Sequence, residues 1–199
     1  MKKFFNVKTI ALCGVLAGLN IILTLFFQPI AYGPLQFRLG EITGCFGIYG
    51  IPYILASILS GILINLFSPF NLLWEVVIDT PIFLIAQVVL YIILRKLSTK
   101  IDKNKLALLY LLGVTILVGI VVGNMLHFTI GLPFGITFLE LILSEALTLF
   151  PGYFLIVRPV AKVLKLEMFK WEKKVWGRDL LFTFLTLPRW LKNYTTIII

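Results

Sequence analysis

Tyr32-Gly33-Pro34-Leu35-Gln36-Phe37-Arg38-Leu39-Gly40-Glu41 is the stretch on which the reading of this chain turns. It is the first break in hydrophobicity after a long apolar run from Val7 to Phe27. Gly33-Pro34 is a turn signal. Behind it, an arginine and a carboxylate three residues apart are carried into another apolar segment. A soluble loop has no need of that arrangement. In a bilayer a charge inside a span costs about 2.5–3.5 kcal/mol on insertion scales, so one kept at the mouth of a helix points to function.

The composition agrees with a membrane setting. The 199 residues are 60% hydrophobic and 14% charged, and the mean hydropathy is +1.02. Soluble domains run nearer about 45–50% apolar and 25% charged. A core of this size cannot bury such an excess. At roughly 20 residues per spanning helix, the chain is expected to be an all-α, polytopic membrane protein of six transmembrane helices. Its membrane domain is read as residues 1–165, and residues 166–199 as a cytoplasmic interfacial tail rich in basic residues and tryptophan. The first apolar run is too long for a cleaved signal peptide and is expected to remain as a span. Cys13 and Cys45 fall inside apolar segments without ligand spacing and read as packing residues.

Taken in order, the expected helices run from Val7 to Phe27, Phe37 to Tyr49, Pro52 to Phe67, Leu72 to Leu94 with a kink at Pro81, Leu106 to Ile130, and Ile136 to Leu164. All basic residues except Arg38 then fall in the N-terminus, the 95–105 loop and the region from Arg158 onward. By the positive-inside rule, both termini are cytoplasmic. The net charge of +9 is thus a topology signal and not a nucleic-acid footprint.

With this topology, depth follows at about 1.5 Å per residue. Arg38, Glu41, Glu75, Asp79, Glu140 and Glu145 come early in helices that enter from outside. Asn65, Asn124 and His127, the single histidine, come late in helices that leave toward it. Together with Gln36 and Trp74 they form the candidate substrate site, a polar pocket in the outer half closed below by an apolar floor, with Gln87 the main exception. Such a shape suits a ligand site and not a channel. Blander readings stand beside this one. Arg38 and Glu41 could satisfy each other as an i,i+3 pair. Glu75 and Asp79, at i,i+4, repel unless a cation, proton or polar ligand lies between. Glu140 could be solvated, and it lies on a different part of its helix surface from Glu145. His127 could be a hydrogen-bonded structural residue. Asn65 and Asn124 could bridge helices. Trp74 reads as an interface anchor or a stacking platform.

Nucleotide-binding, zinc-hydrolase and nucleophile-elbow motifs are all missing, and one histidine excludes a multi-histidine metal centre. The chain therefore reads as a binding or transport component, with no catalytic residues, metal or cofactor. Ala11, Gly14, Ala17 and Gly18 make a small-residue stripe on the first helix. It suits close helix approach, either within the chain, in a dimer, or to a membrane partner.

The Tyr32–Arg38 segment with Glu41 resembles the signature of QueT-type proteins, which are substrate-binding S components of energy-coupling factor (ECF) transporters. Asn65-Leu66-Phe67-Ser68-Pro69 is similar to the same family, as is Leu132-Pro133-Phe134 leading to Phe138-Leu139 and Ser144-Glu145. The likeness runs from about Val7 to Leu164. It implies a small-molecule nutrient bound from outside in the cell membrane. It also implies docking, through the helix 1 stripe, on a transmembrane coupling protein with two ATPase subunits. The implied ligand is a queuosine precursor, a deazaguanine. Glu75, Asp79 and Glu140 depart from the family pattern, and the added acids favour a cationic ligand or protonation. The alternatives are an S component for another vitamin and a stand-alone ion- or proton-coupled carrier. The opening stretch is expected to close over the ligand.

Overall fold

The structure is a computed structural model that describes residues 7–32, 36–69 and 74–169. The expected Gly33-Pro34 turn and the tail from residue 170 onward lie outside the described residues. Everything described is helix, turn or loop, and no strand occurs among these residues.

Helix 1 is Val7–Phe26, followed by a single turn at Gln28–Ala31. Helix 2 is Leu39–Tyr49, helix 3 Ile51–Asn65, helix 4 Trp74–Leu97, helix 5 Lys103–Ile130 and helix 6 Phe134–Val163. Helices 1, 4, 5 and 6 are long and apolar enough to cross a membrane; helix 3 is apolar but shorter.

The ends of these helices follow from local chemistry. Asp102 caps helix 5 by accepting the Asn104 N–H at 2.9 Å. The same helix stops at Gly131, which turns left-handed (φ +74°) and donates its N–H to the His127 carbonyl. Gly50, at φ +150°, takes a conformation that side chains disfavour, and lets helix 2 run into helix 3 with Pro52 in the first turn.

Three features differ from the expected helices. Helix 2 is a 3-10 helix throughout. Its rise of about 2.0 Å per residue stretches eleven residues to about 22 Å, where an α-helix would reach about 16 Å. Helix 4 opens with a π-helical turn, Trp74–Asp79, and Pro81 sits in the first turn of the α-helical part that follows. The irregularity thus precedes Pro81. Helix 6 contains Pro151, which has no N–H for the carbonyl one turn back, and its ladder widens to a π-helix at Tyr153–Val157.

Helix 2 lies at the centre, packed against helices 1, 3, 5 and 6. Glycines make that possible. A Cβ on Gly40 would overlap Asn20 and Thr24 of helix 1, and one on Gly47 would overlap the Tyr110 hydroxyl of helix 5. Van der Waals closeness of this kind, rather than hydrophobic burial, holds helices together in lipid. At the Arg95 end of the bundle the core is aromatic, with Tyr91, Tyr110 and Tyr153 fully buried. There the chain after helix 6 folds back. Phe169 is buried, stacks on Tyr91 at 5.6 Å and donates its backbone N–H to the Ile48 carbonyl at 3.1 Å. The packing of the bundle therefore reaches Phe169, past the boundary at residue 165 read from the sequence.

Candidate substrate site

Helix 2 enters the bundle through residues 36–38, and these organise the site. Gln36 is buried and takes φ +44°, a conformation uncommon for a residue with a side chain. Its side-chain oxygen accepts from Arg38 Nη2 at 3.3 Å. Arg38 Nε donates to the Ala31 carbonyl at 3.4 Å, and Nη1 lies 3.7 Å from Glu41 Oε1. The guanidinium also sits 5.2 Å from the centre of the Tyr32 ring, whose hydroxyl donates to the Ile64 carbonyl at 2.7 Å. Arg38 is therefore fixed on several sides, and one side of it is left to line a cavity.

Across that cavity stand helices 4 and 6. Glu75 is buried. One of its oxygens accepts from Ser68 Oγ at 2.9 Å, while the other has no hydrogen-bond partner among the described residues. Thr80 Oγ1 donates to the Glu75 carbonyl at 2.7 Å and holds the π turn that brings Asp79 alongside. Glu145, on helix 6, is buried with its carboxyl facing that of Glu41. Two carboxyl groups so placed need a proton or a cation between them.

The cavity encloses about 120 Å³, a space for a small molecule. Of the site residues expected from sequence, Arg38, Glu41, Asn65, Glu75, Asp79 and Glu145 line it. The other five do not. Gln36 stands behind Arg38 as its support. Trp74 packs on Met125, Leu126 and Leu141, with its ring 5.7 Å from that of Phe128. Asn124 donates to the Ile120 carbonyl of its own helix at 2.7 Å. His127 is exposed and donates from Nδ1 to the Leu132 carbonyl at 2.7 Å, tying the turn between helices 5 and 6. Glu140 is half-buried, away from the cavity.

The cavity also takes residues that sequence reasoning left out. Asn20 of helix 1 lines it, donating to Ser60 Oγ at 2.7 Å and accepting from Thr24 at 3.3 Å. A lone asparagine in an otherwise apolar span was the available signal. Phe83 is the aromatic side chain that lines the middle of the cavity. At its far end Gln87, the exception expected in the apolar floor, is joined by Tyr110. The hydroxyl of Tyr110 reaches that position because Gly47 gives it room.

A family model for the QueT transporter matches residues 10–158 of the 199. The chain belongs to the QueT transporter family. QueT proteins are S components of ECF transporters, so this is a multi-pass membrane transport protein and not an enzyme. Comparison with curated proteins and with solved structures gives no match. The QueT match spans every cavity residue named above and the helix 1 stripe.

Proposed function

We propose that the protein binds a queuosine precursor, a deazaguanine base, in this cavity from the outer side of the membrane. It then delivers the base after docking on a coupling protein with two ATPase subunits. In this reading helices 1 to 6 all span, and both ends of the chain are cytoplasmic. The observation that carries the reading is the convergence of Arg38, Glu41, Asn65, Glu75, Asp79 and Glu145, from four chain segments, on one small cavity. A flat purine-like base fits such a lining. Carboxylates accept from its amino and ring N–H groups, Phe83 offers a face for stacking, and an aminomethyl cation satisfies the paired acids Glu41 and Glu145.

Helix 1 supports the docking half of the proposal. It buries only Leu16, Asn20 and Thr24. A Cβ on Gly14 or Gly18 would meet nothing within 4 Å. Packing within the described chain therefore does not use the glycines of the stripe, which leaves them to a partner helix.

Binding of tritiated deazaguanines to the purified protein tests the reading. Saturable binding is expected. Tight binding of another vitamin with none of any deazaguanine would overturn the substrate. Gradient-driven uptake into liposomes without ATPase subunits would favour a stand-alone carrier instead.

A further inference from the structure

We propose that Gln87 and Tyr110 form a second recognition point at the inner end of the cavity. It takes a neutral, hydrogen-bonding edge of the ligand, such as a lactam or amide, while the acids hold the ligand's basic end. This rests on the reading that the cavity is the substrate site.

Both side chains line the cavity and both are removed from solvent, with Gln87 2% and Tyr110 0% exposed. Gln87 Oε1 and the Tyr110 hydroxyl have no hydrogen-bond partner among the described residues. A buried polar group left in that state is costly, and native structures rarely keep one without a use. Here two share one cavity, on facing helices 4 and 5. Gly47, against which the Tyr110 hydroxyl lies, is about 12 Å further along helix 2 than Glu41, at about 2.0 Å per residue of 3-10 helix. The wall between these levels is apolar, with Phe83, Ile58, Val114 and Val118. Neither Gln87 nor Tyr110 carries a charge, so this pair offers hydrogen bonds to a neutral ligand group. A glutamine amide and a phenol each donate and accept, which complements the adjacent N–H and C=O of a lactam. The ligand therefore enters lactam first, with its basic substituent toward Glu41 and Glu145.

The test compares wild type with Tyr110→Phe, which removes one oxygen, and Gln87→Leu, which removes the amide. Affinities are measured for 7-deazaguanine and for 2-amino-7-deazapurine, which lacks the oxo group. Tyr110→Phe or Gln87→Leu is expected to weaken 7-deazaguanine on the order of tenfold, to leave the oxo-free analogue unchanged, and to keep or raise the Tm of the unliganded protein. Unchanged affinity for 7-deazaguanine in both variants would overturn the inference. So would a fall in unliganded Tm for Tyr110→Phe, since the hydroxyl would then have a structural partner. If wild type binds neither base, the deazaguanine reading fails. The inner point is then judged by unliganded Tm alone: a rise or no change upholds it, and a fall overturns it.

Discussion

Arg38 is the residue at which the structure and the proposed binding are most closely joined. Its contacts to Ala31, Gln36, Glu41 and Tyr32 hold the entry to helix 2, and the same side chain borders the cavity. The polar contacts within the chain are long, at 3.3–3.7 Å, so each one contributes little. Arg38→Ala is expected to express and fold, with a small fall in Tm, and to bind ligand at least about tenfold more weakly. Wild-type affinity in that variant would return Arg38 to a structural role. Glu145 tests the other half of the site. Glu145→Gln keeps the shape and removes one of two facing carboxyls. The unliganded protein should be as stable as wild type or more so, because an uncompensated buried acid is costly. Affinity for an aminomethyl deazaguanine should fall more than affinity for an uncharged one. Equal losses for both ligands would show that Glu145 does not read the cation.

Helix 2 is the element that sets the site, and its packing is testable at one atom. A methyl on Gly40 would overlap Asn20 and Thr24, and Asn20 is itself tied to Ser60. Gly40→Ala is expected to destabilise by about 1–3 kcal/mol, as overpacking does, read as a lower Tm in detergent. Gly135→Ala is the control, since a Cβ there meets nothing within 4 Å, and its Tm should hold. A harmless Gly40→Ala would mean that helices 1 and 2 are not in close approach. Helices 1, 3, 5 and 6 could be read from hydropathy to within a few residues, because long apolar runs end at Gly, Pro or charge. The 3-10 winding of helix 2 could not. Over eleven residues, with glycines on its contact faces, periods of 3.0 and 3.6 leave nearly the same apolar pattern. The π turns at Trp74–Asp79 and Tyr153–Val157 were likewise illegible. Their prolines marked the place, but how the backbone absorbs a proline is decided by the neighbouring helices.

At the scale of the whole molecule, the sequence made depth legible and rotation illegible. Sorting polar residues along each span placed Arg38, Glu41, Asn65, Glu75, Asp79 and Glu145 at one level, and they share one cavity. The same sorting chose Glu140, Asn124 and His127, whose helices turn them elsewhere. Only the five-residue offset between Glu140 and Glu145 hinted at such a difference. Helix 1 shows the converse. Its stripe was legible, but whether a neighbour within the chain covered it was not. The open space at Gly14 and Gly18 lets the docking proposal be tested apart from ligand binding in one double variant. Leucines at both positions would fill space that the chain itself leaves empty, on a face that lipid also tolerates. Gly14→Leu combined with Gly18→Leu is therefore expected to fold normally and to bind ligand with wild-type affinity. Close approach of a partner helix needs small residues at these positions. Uptake by the protein reconstituted with a coupling protein and its ATPases should then fall on the order of tenfold or more, since each tenfold loss of docking affinity takes only about 1.4 kcal/mol. Copurification of the complex should weaken in parallel. Full uptake by the double variant would show that the partner docks on another face. Loss of ligand binding would show instead that helix 1 is packed within the protein.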